Sequence, residues 1–502
     1  MTENLGRRAL LGGAAAGAGA LAAVPLLGST AAAATTGDGY RPGVWPGADV
    51  AQAEGWRVLR GRRVGVITNQ TGVVQSTLGS IVDAMVASGQ VEVGAVFGPE
   101  HGFRGTAQAG SSEDTHVDGR TGVTVYDAYG ATAATFQRLY AESTVDTVVF
   151  DIQDVGARFY TYIWTMYAAM TAAAKAGLSF VVLDRPNPIG GRARGPVLRD
   201  GFTSGVGQDK IAQAHGMTAG EIARFFDGEF LPGLAGRRIE DLRVVRMRGW
   251  RADMLYADTG LPWILPSPNM PSPTTALLYP GTCLLEATNL SEGRGTTLPF
   301  ELLGAPYIDH RWAADLTRRR LVGVRFREAY FTPTFSKNAN LVCGGVQVHV
   351  TDADRVDAIT VATHLLVSLR DLYDEFDWRL VNGASGHLRK FVEGPASSRW
   401  MPRKADEEGV PGRTSTEENV LARSAASGGQ ARRRLDGAGP DDLPEVTTSD
   451  RGRWLDLLTG SDRFRTQFEA GASAPAIVAA WRQELVAFDR VRRPYLLYPR
   501  ES

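Results

Sequence analysis

Four apolar runs separated by helix-length amphipathic stretches constrain this chain more than any other feature. Val64-Gly65-Val66-Ile67-Thr68-Asn69 reads as a buried strand ending in a polar turn, and Leu78 to Ser88 as a helix. Val91 to Phe97 reads as a second strand that stops at Gly98-Pro99-Glu100. Thr147-Val148-Val149-Phe150-Asp151 is a third strand, Tyr160 to Ala176 a helix, and Phe180-Val181-Val182-Leu183-Asp184 a fourth strand. Strands that are apolar throughout, rather than alternating, belong to a parallel sheet covered on both faces. Such a sheet binds ligands in the crevice beyond the carboxyl ends of its strands. The polar strand ends Asn69, Glu100, Asp151 and Asp184 are therefore expected on one rim.

The texture changes after Trp263, where Pro266-Ser267-Pro268-Asn269-Met270-Pro271 is followed by the strand Val346-Gln347-Val348-His349-Val350. The expected fold class is α/β, with a Rossmann-like parallel-sheet domain over 45–262 and a smaller mixed α+β domain over 263–502. Within the second domain, residues 395–450 are charged, rich in Gly, Ser and Pro, and include Arg432-Arg433-Arg434. That composition favours a disordered insertion. At the N-terminus, Arg7-Arg8 precedes a weakly apolar Gly/Ala/Leu stretch ending in Ala31-Ala32-Ala33-Ala34. This pattern predicts a twin-arginine export signal over residues 1–34. Its many glycines and alanines give little drive for insertion, so no stable membrane anchor is expected after signal removal. Cys283 and Cys343 fall in the exported part, where either a disulfide or two buried thiols would be compatible.

Three segments concentrate chemistry. The first is Gly98-Pro99-Glu100-His101-Gly102-Phe103-Arg104-Gly105. A carboxyl at the end of an apolar strand is partly desolvated, which suits Glu100 to proton donation. The second, Asp151 to Tyr162, packs Asp151, Gln153, Asp154, Arg158, Tyr160 and Tyr162 into one strand-to-helix loop. Planar polar groups beside aromatic faces bind sugars, although Asp154 could equally cap the helix with Arg158 neutralising it. The third, Asn289-Leu290-Ser291-Glu292-Gly293-Arg294-Gly295, is a tight polar loop. Glu100 and Glu292 would together suit a glycosidase that needs two carboxylates, against the plainer reading of a Glu292–Arg294 surface pair. Candidate sugar-binding residues are His101, Arg104, Asp151, Gln153, Arg158, Tyr160, His215, Asn269, Asn289 and Arg294.

Several chemistries are excluded. There is no G-x-S-x-G elbow, dinucleotide fingerprint or P-loop, so nucleotide cofactors are not expected. Glu100, His101, Asp114, His116 and Asp118 fit no standard ligand spacing, and neither metal nor other cofactor is expected. The formal net charge of -1 provides no field to gather nucleic acid. Local arginines must hold any anionic ligand.

The runs VITNQTGV, GPEHGFRG, VFDIQDVGARFYTYI, LDRPNPIGG, SPNMPSPTTALLYPGTCLLEATNLSEGRGTTLPFELLGAP and RRPYLLY resemble, in this order, the NamZ family of exo-β-N-acetylmuramidases. The resemblance spans about Arg62 to Tyr498 and implies a secreted, cell-wall or periplasmic hydrolase. Its substrates would be peptidoglycan fragments, from whose non-reducing end it removes β-1,4-linked N-acetylmuramic acid. It further implies an active site between a Rossmann-like domain and a smaller second domain. The family's paired glutamates would fall on Glu100 and Glu292, with Glu286 and Glu301 as rivals for the second place. Two other readings stand beside this one: a substrate-assisted hexosaminidase of different specificity, and a wall-binding protein without turnover. The chain departs from the family where GPEHG replaces a run that usually begins with serine, and in the charged insertion, whose arginines could touch the wall.

Overall fold

The apolar runs form the middle of a seven-stranded sheet. Its members are β1 (Arg63–Thr68), β4 (Glu92–Gly98), β5 (His116–Val117), β6 (Thr124–Asp127), β7 (Thr147–Asp151), β8 (Ser179–Leu183) and β11 (Leu242–Val245). The spatial order is β11-β8-β7-β1-β4-β6-β5. All neighbours are parallel except β5 against β6. Numbered by chain order alone, the six parallel strands run 6-5-4-1-2-3, which is the Rossmann order read from the opposite edge. This computed structural model describes residues 43–108, 110–379 and 453–500; the expected export signal and the expected insertion lie outside them.

Every residue of β7 is buried, because both faces of the sheet are covered. Val64, Val66, Val149 and Val181 pack into one core with Ile81, Val82 and Met85 of the helix Ile81–Ser88. Ile67, Val148, Phe150 and Val182 face the other core, which continues through Leu284, Val346 and Leu365 into the C-terminal half. Gly65 has no alternative in β1, since a Cβ there would stand 2.5 Å from the Phe97 ring.

Two short hairpins pair β2 (Val73–Val74) with β3 (Gly79–Ser80), and β9 (Arg194–Val197) with β10 (Ala212–Ala214). The C-terminal half is built on an antiparallel sheet ordered β12 (Leu302–Ala305), β14 (Cys343–Val350), β13 (Val324–Phe331). Helices His310–Arg319 and Ala358–Leu372 bury Trp312, Leu316, Leu365 and Leu366 with it. The antiparallel sheet and its helices give this half the mixed α+β character expected from the sequence. Cys283 and Cys343 are buried free thiols. Among the described residues no helix is long and apolar enough to cross a membrane, and no group of three or more His, Cys, Asp or Glu side chains is placed to hold a metal ion.

Candidate active site

Asn69, Glu100, Asp151 and Asp184 follow or end β1, β4, β7 and β8, four consecutive strands of the sheet. The expected rim therefore exists, but its members do different work. Asp151 is fully buried and paired with Arg185, whose Nη2 donates to Asp151 Oδ2 at 2.8 Å and to the Val73 carbonyl at 2.9 Å. Asp184 accepts from Thr218 Oγ1 (2.8 Å), the Gly220 backbone N–H (2.8 Å) and the Tyr498 hydroxyl (2.6 Å). Burial pushes its carboxyl up to about 7 despite these donors. Asn69 Oδ1 accepts from the backbone N–H and hydroxyl of Thr71, whose oxygen in turn accepts the Gln153 N–H. Gln153 Nε2 donates to the carbonyls of Asp154 and Pro186. These groups tie the loops after β1, β7 and β8 together.

Glu100 is placed differently. It is half-buried, just past β4, with Oε1 accepting the Gly110 backbone N–H at 2.8 Å. Oε2 accepts the Thr161 hydroxyl at 2.8 Å. Thr161 is the N-cap of the helix Tyr162–Ala176 but makes no side-chain cap bond. An N-cap threonine normally spends its oxygen on the first helical turn; here the hydroxyl serves the carboxylate. His101 braces the loop that carries Glu100: its backbone sits at φ 75°, its N–H donates to Ser111 O, and its Nδ1 lies 2.9 Å from Ala107 O.

Arg104 and Arg158 both have protein partners, and only Arg158 is fully enclosed. The Arg104 guanidinium lies over the Phe103 ring and is held by Asp83 and Asp118. Arg158 is fully buried and donates to the carbonyls of Pro196, Ile211 and Leu458, stitching the β9–β10 hairpin to the helix Arg453–Thr459. Asn289 is likewise committed, donating to Glu375 O and accepting from Tyr307. His101 and Asp151 are occupied as described above.

Tyr160 and Tyr162 line the Glu100 side. An edge-on aromatic chain runs from Tyr162 to Tyr160 (5.2 Å between centroids), to Tyr279 (5.8 Å), to Phe300 (4.8 Å). It ends under Arg294, 5.0 Å above the Phe300 ring. This chain connects the loop after β7 with the Glu292 loop. Burial drives the Tyr160 phenol well above its ordinary value, and Glu100 and Asp154 push it further. Gln70 donates to Leu265 O and Pro266 O, and Tyr162 to Pro266 O, pinning the loop that holds the buried Asn269 over the strand ends.

Glu292 has a 3 % exposed side chain and lies between two cations, with Arg294 Nε 3.1 Å from Oε1 and Lys337 Nζ 3.1 Å from Oε2. Burial raises its pKa, but Lys337 and then Arg294 more than offset this and hold the carboxyl below the ordinary glutamate value. Arg294 also donates to Glu286 at 2.7 Å. Glu301, the other rival, accepts from Thr275 at 2.6 Å and Ser272 at 3.4 Å at the start of the helix Pro273–Thr282. Lys337 escaped the sequence reading. Its ammonium donates to Leu285 O and Thr288 O at 2.7 and 2.9 Å, and its neighbours Ser336 and Asn338 both sit at positive φ. Residues forced into the left-handed region tend to mark positions that the surrounding structure over-determines. The only sequence signal was Asn338 and Asn340, which tolerate that region better than most residues.

Comparison with known proteins identifies relatives of both halves of the chain. The N-terminal model of the exo-β-N-acetylmuramidase NamZ family matches residues 64–274, and its C-terminal model matches 277–425 and 430–498. The peptidoglycan β-N-acetylmuramidase NamZ of Bacillus subtilis (strain 168) is 44% identical over 460 residues, covering 91% of this chain and 92% of that protein. Two crystal structures of DUF1343 family proteins from Bacteroides fragilis are similar in fold. One has a TM-score of 0.69 at 30% identity, covering 91% of this chain and 100% of that one. The other has a TM-score of 0.61 at 27% identity, covering 91% and 99%. With both halves matched in order and a close relative along nearly its whole length, the chain belongs to the exo-β-N-acetylmuramidase NamZ family.

Proposed function

We propose that this chain hydrolyses peptidoglycan fragments from the non-reducing end, releasing β-1,4-linked N-acetylmuramic acid, with Glu100 as the general acid. The observation that carries the role of Glu100 is its placement. It lies at the carboxyl end of a central parallel strand, with both oxygens oriented by Gly110 and by a threonine withdrawn from helix capping. In hydrolysis, Glu100 gives its proton to the leaving oxygen as the glycosidic bond breaks, and water supplies the new hydroxyl at the anomeric carbon. That reaction needs an acid, an anion and water, so it calls for no cofactor.

Muramic acid differs from glucosamine by a lactyl ether whose carboxylate is ionised at neutral pH. Of the two arginines considered for holding it, Arg158 has 0 % exposure, whereas the Arg294 side chain is 21 % exposed. Arg294 is therefore our choice. Glu292, ionised and enclosed by Arg294 and Lys337, fits the anchoring of that cluster better than contact with the sugar. The substrate lies outside the membrane, which agrees with Arg7-Arg8 acting as a twin-arginine export signal. The purified mature chain should release chromophore from a chromogenic N-acetylmuramic acid glycoside and leave the N-acetylglucosamine glycoside nearly untouched. Equal release from both, or from neither, would refute the assignment.

A further inference from the structure

The anion that partners Glu100 needs an oxygen that the protein's own donors and cations do not claim. Glu292 has a cation against each of its oxygens, and Glu301 is spent on Ser272 and Thr275. Asp154 is different. It lies in the loop between β7 and the helix Tyr162–Ala176, 7 % exposed. Its Oδ2 accepts the Gly156 backbone N–H at 2.7 Å and faces His215 Nε2 at 3.2 Å. His215 is fully buried, and its Nδ1 accepts the Met217 backbone N–H at 3.3 Å. That bond places the ring proton on Nε2, which therefore donates to Asp154.

Asp154 Oδ1 is buried without a hydrogen-bond partner, whereas Glu292 Oε2, equally without one, has the Lys337 ammonium 3.1 Å away. An unsatisfied buried acceptor is costly, and folded proteins retain very few of them. A ligand that supplies a donor or positive charge would account for this one. The same loop carries Thr161, whose hydroxyl holds Glu100 Oε2 at 2.8 Å. One loop thus serves both carboxyls, and in it Asp154 is held by a backbone N–H and an imidazole fixed in one tautomer.

We propose that Asp154 is the anionic partner of Glu100, its Oδ1 stabilising the positive charge that develops at the anomeric carbon as the glycosidic bond breaks. The assignment deepens the glycosidase reading and rests on it. The Glu100 proton goes to the leaving oxygen, which takes the bonding pair with it. The charge left on the anomeric carbon and ring oxygen is met by Asp154. Net, the hydroxyl of water ends on the anomeric carbon and its remaining proton restores Glu100. His215 is a positioning residue that acts through Asp154.

Two substrates separate the roles: a muramic-acid-terminated disaccharide, and an aryl glycoside whose nitrophenol departs without protonation. Glu100→Gln should lose about 10²–10⁴-fold on the disaccharide and recover much of that on the aryl glycoside. Asp154→Asn should lose about 10²-fold or more in kcat on both, because charge develops at the anomeric carbon with either leaving group. A folded Asp154→Asn that keeps more than a tenth of parental kcat on the aryl glycoside overturns the proposal. So does a two-substrate loss in Glu292→Gln that Asp154→Asn does not share. If Asp154→Asn fails to fold, Asp154→Glu decides, since it keeps the charge and displaces the oxygen. A tenfold or greater loss on both substrates supports the assignment, and a smaller one overturns it. Parental inactivity on both would sink the glycosidase reading itself, whereas an active parent with an indifferent Asp154→Asn sinks the assignment alone.

Discussion

Replacing Lys337 with methionine should expose how much the charged cluster holds the C-terminal half together. The side chain is 8 % exposed and its ammonium serves three oxygens: Leu285 O, Thr288 O and Glu292 Oε2. Methionine keeps the volume and withdraws the donor from all three oxygens. Removing one member of a buried ion pair costs up to about 3–5 kcal/mol, and here Arg294 stays 3.1 Å from Glu292 Oε1 and offsets part of that. The pH dependence has a definite sign. In the parent, Glu292 is depressed below its ordinary 4.5, so its contribution is full above that pH and is lost as pH falls through the depressed value. In Lys337→Met the carboxyl keeps its burial but loses its strongest cation, so its pKa climbs. The depression, and with it the stability that Glu292 contributes above its ordinary value, therefore shrinks. The gap between parent and variant should therefore be widest near neutrality and narrow as pH approaches about 4. Chemical denaturation of both proteins at a series of pH values measures this directly. Adding Glu292→Gln to Lys337→Met should recover part of the loss, as the half-compensated charge disappears. A neutral-pH loss below about 1 kcal/mol, or a gap that widens on acidification, would refute the reasoning.

Arg294→Met should lower efficiency on a muramic glycoside about 10–100-fold more than on an analogue without the lactyl carboxylate, the worth of a hydrogen bond to a charged group. Equal losses in steady-state kinetics would make Arg294 purely structural. Replacing Arg7 and Arg8 together by lysine should trap the precursor inside the cell, as read by fractionation and immunoblot; unimpaired export would point to another route. Tyr498→Phe withdraws the 2.6 Å donor from buried Asp184 and should cost about 1–3 kcal/mol in denaturation experiments. A change within a few tenths of a kcal/mol would mean that the remaining donors satisfy Asp184 on their own.

The parallel core was legible because its strands are covered on both faces. Runs such as Phe180–Leu183 are apolar at every position, and the strand ends fall within a residue or two of expectation. The edge strand β11 was not singled out, since Leu242–Val245 is only partly buried and carries an arginine. Glu100 could be found from its position at a strand end. What could not be read was which polar groups the fold would consume. Arg158 looked available beside Asp154, yet three distant carbonyls claim it, one of them 300 residues away. Asp154 and His215 meet across 61 residues, and Lys337 reaches Thr288 across 49, distances over which no periodicity carries information. Thr161 broke a local rule, giving up its capping bond, and such departures concentrate where function competes with folding.

The account turns on a proton from Glu100. The most direct measurement is the rate at which parent and Glu100→Gln release free N-acetylmuramic acid from a muramic-acid-terminated disaccharide, followed by mass spectrometry, with matched melting curves to show both are folded. We predict release by the parent, from the non-reducing end only, and a fall of about 10²–10⁴-fold in the variant. A folded Glu100→Gln that releases the sugar at more than about a tenth of the parental rate would contradict the central claim.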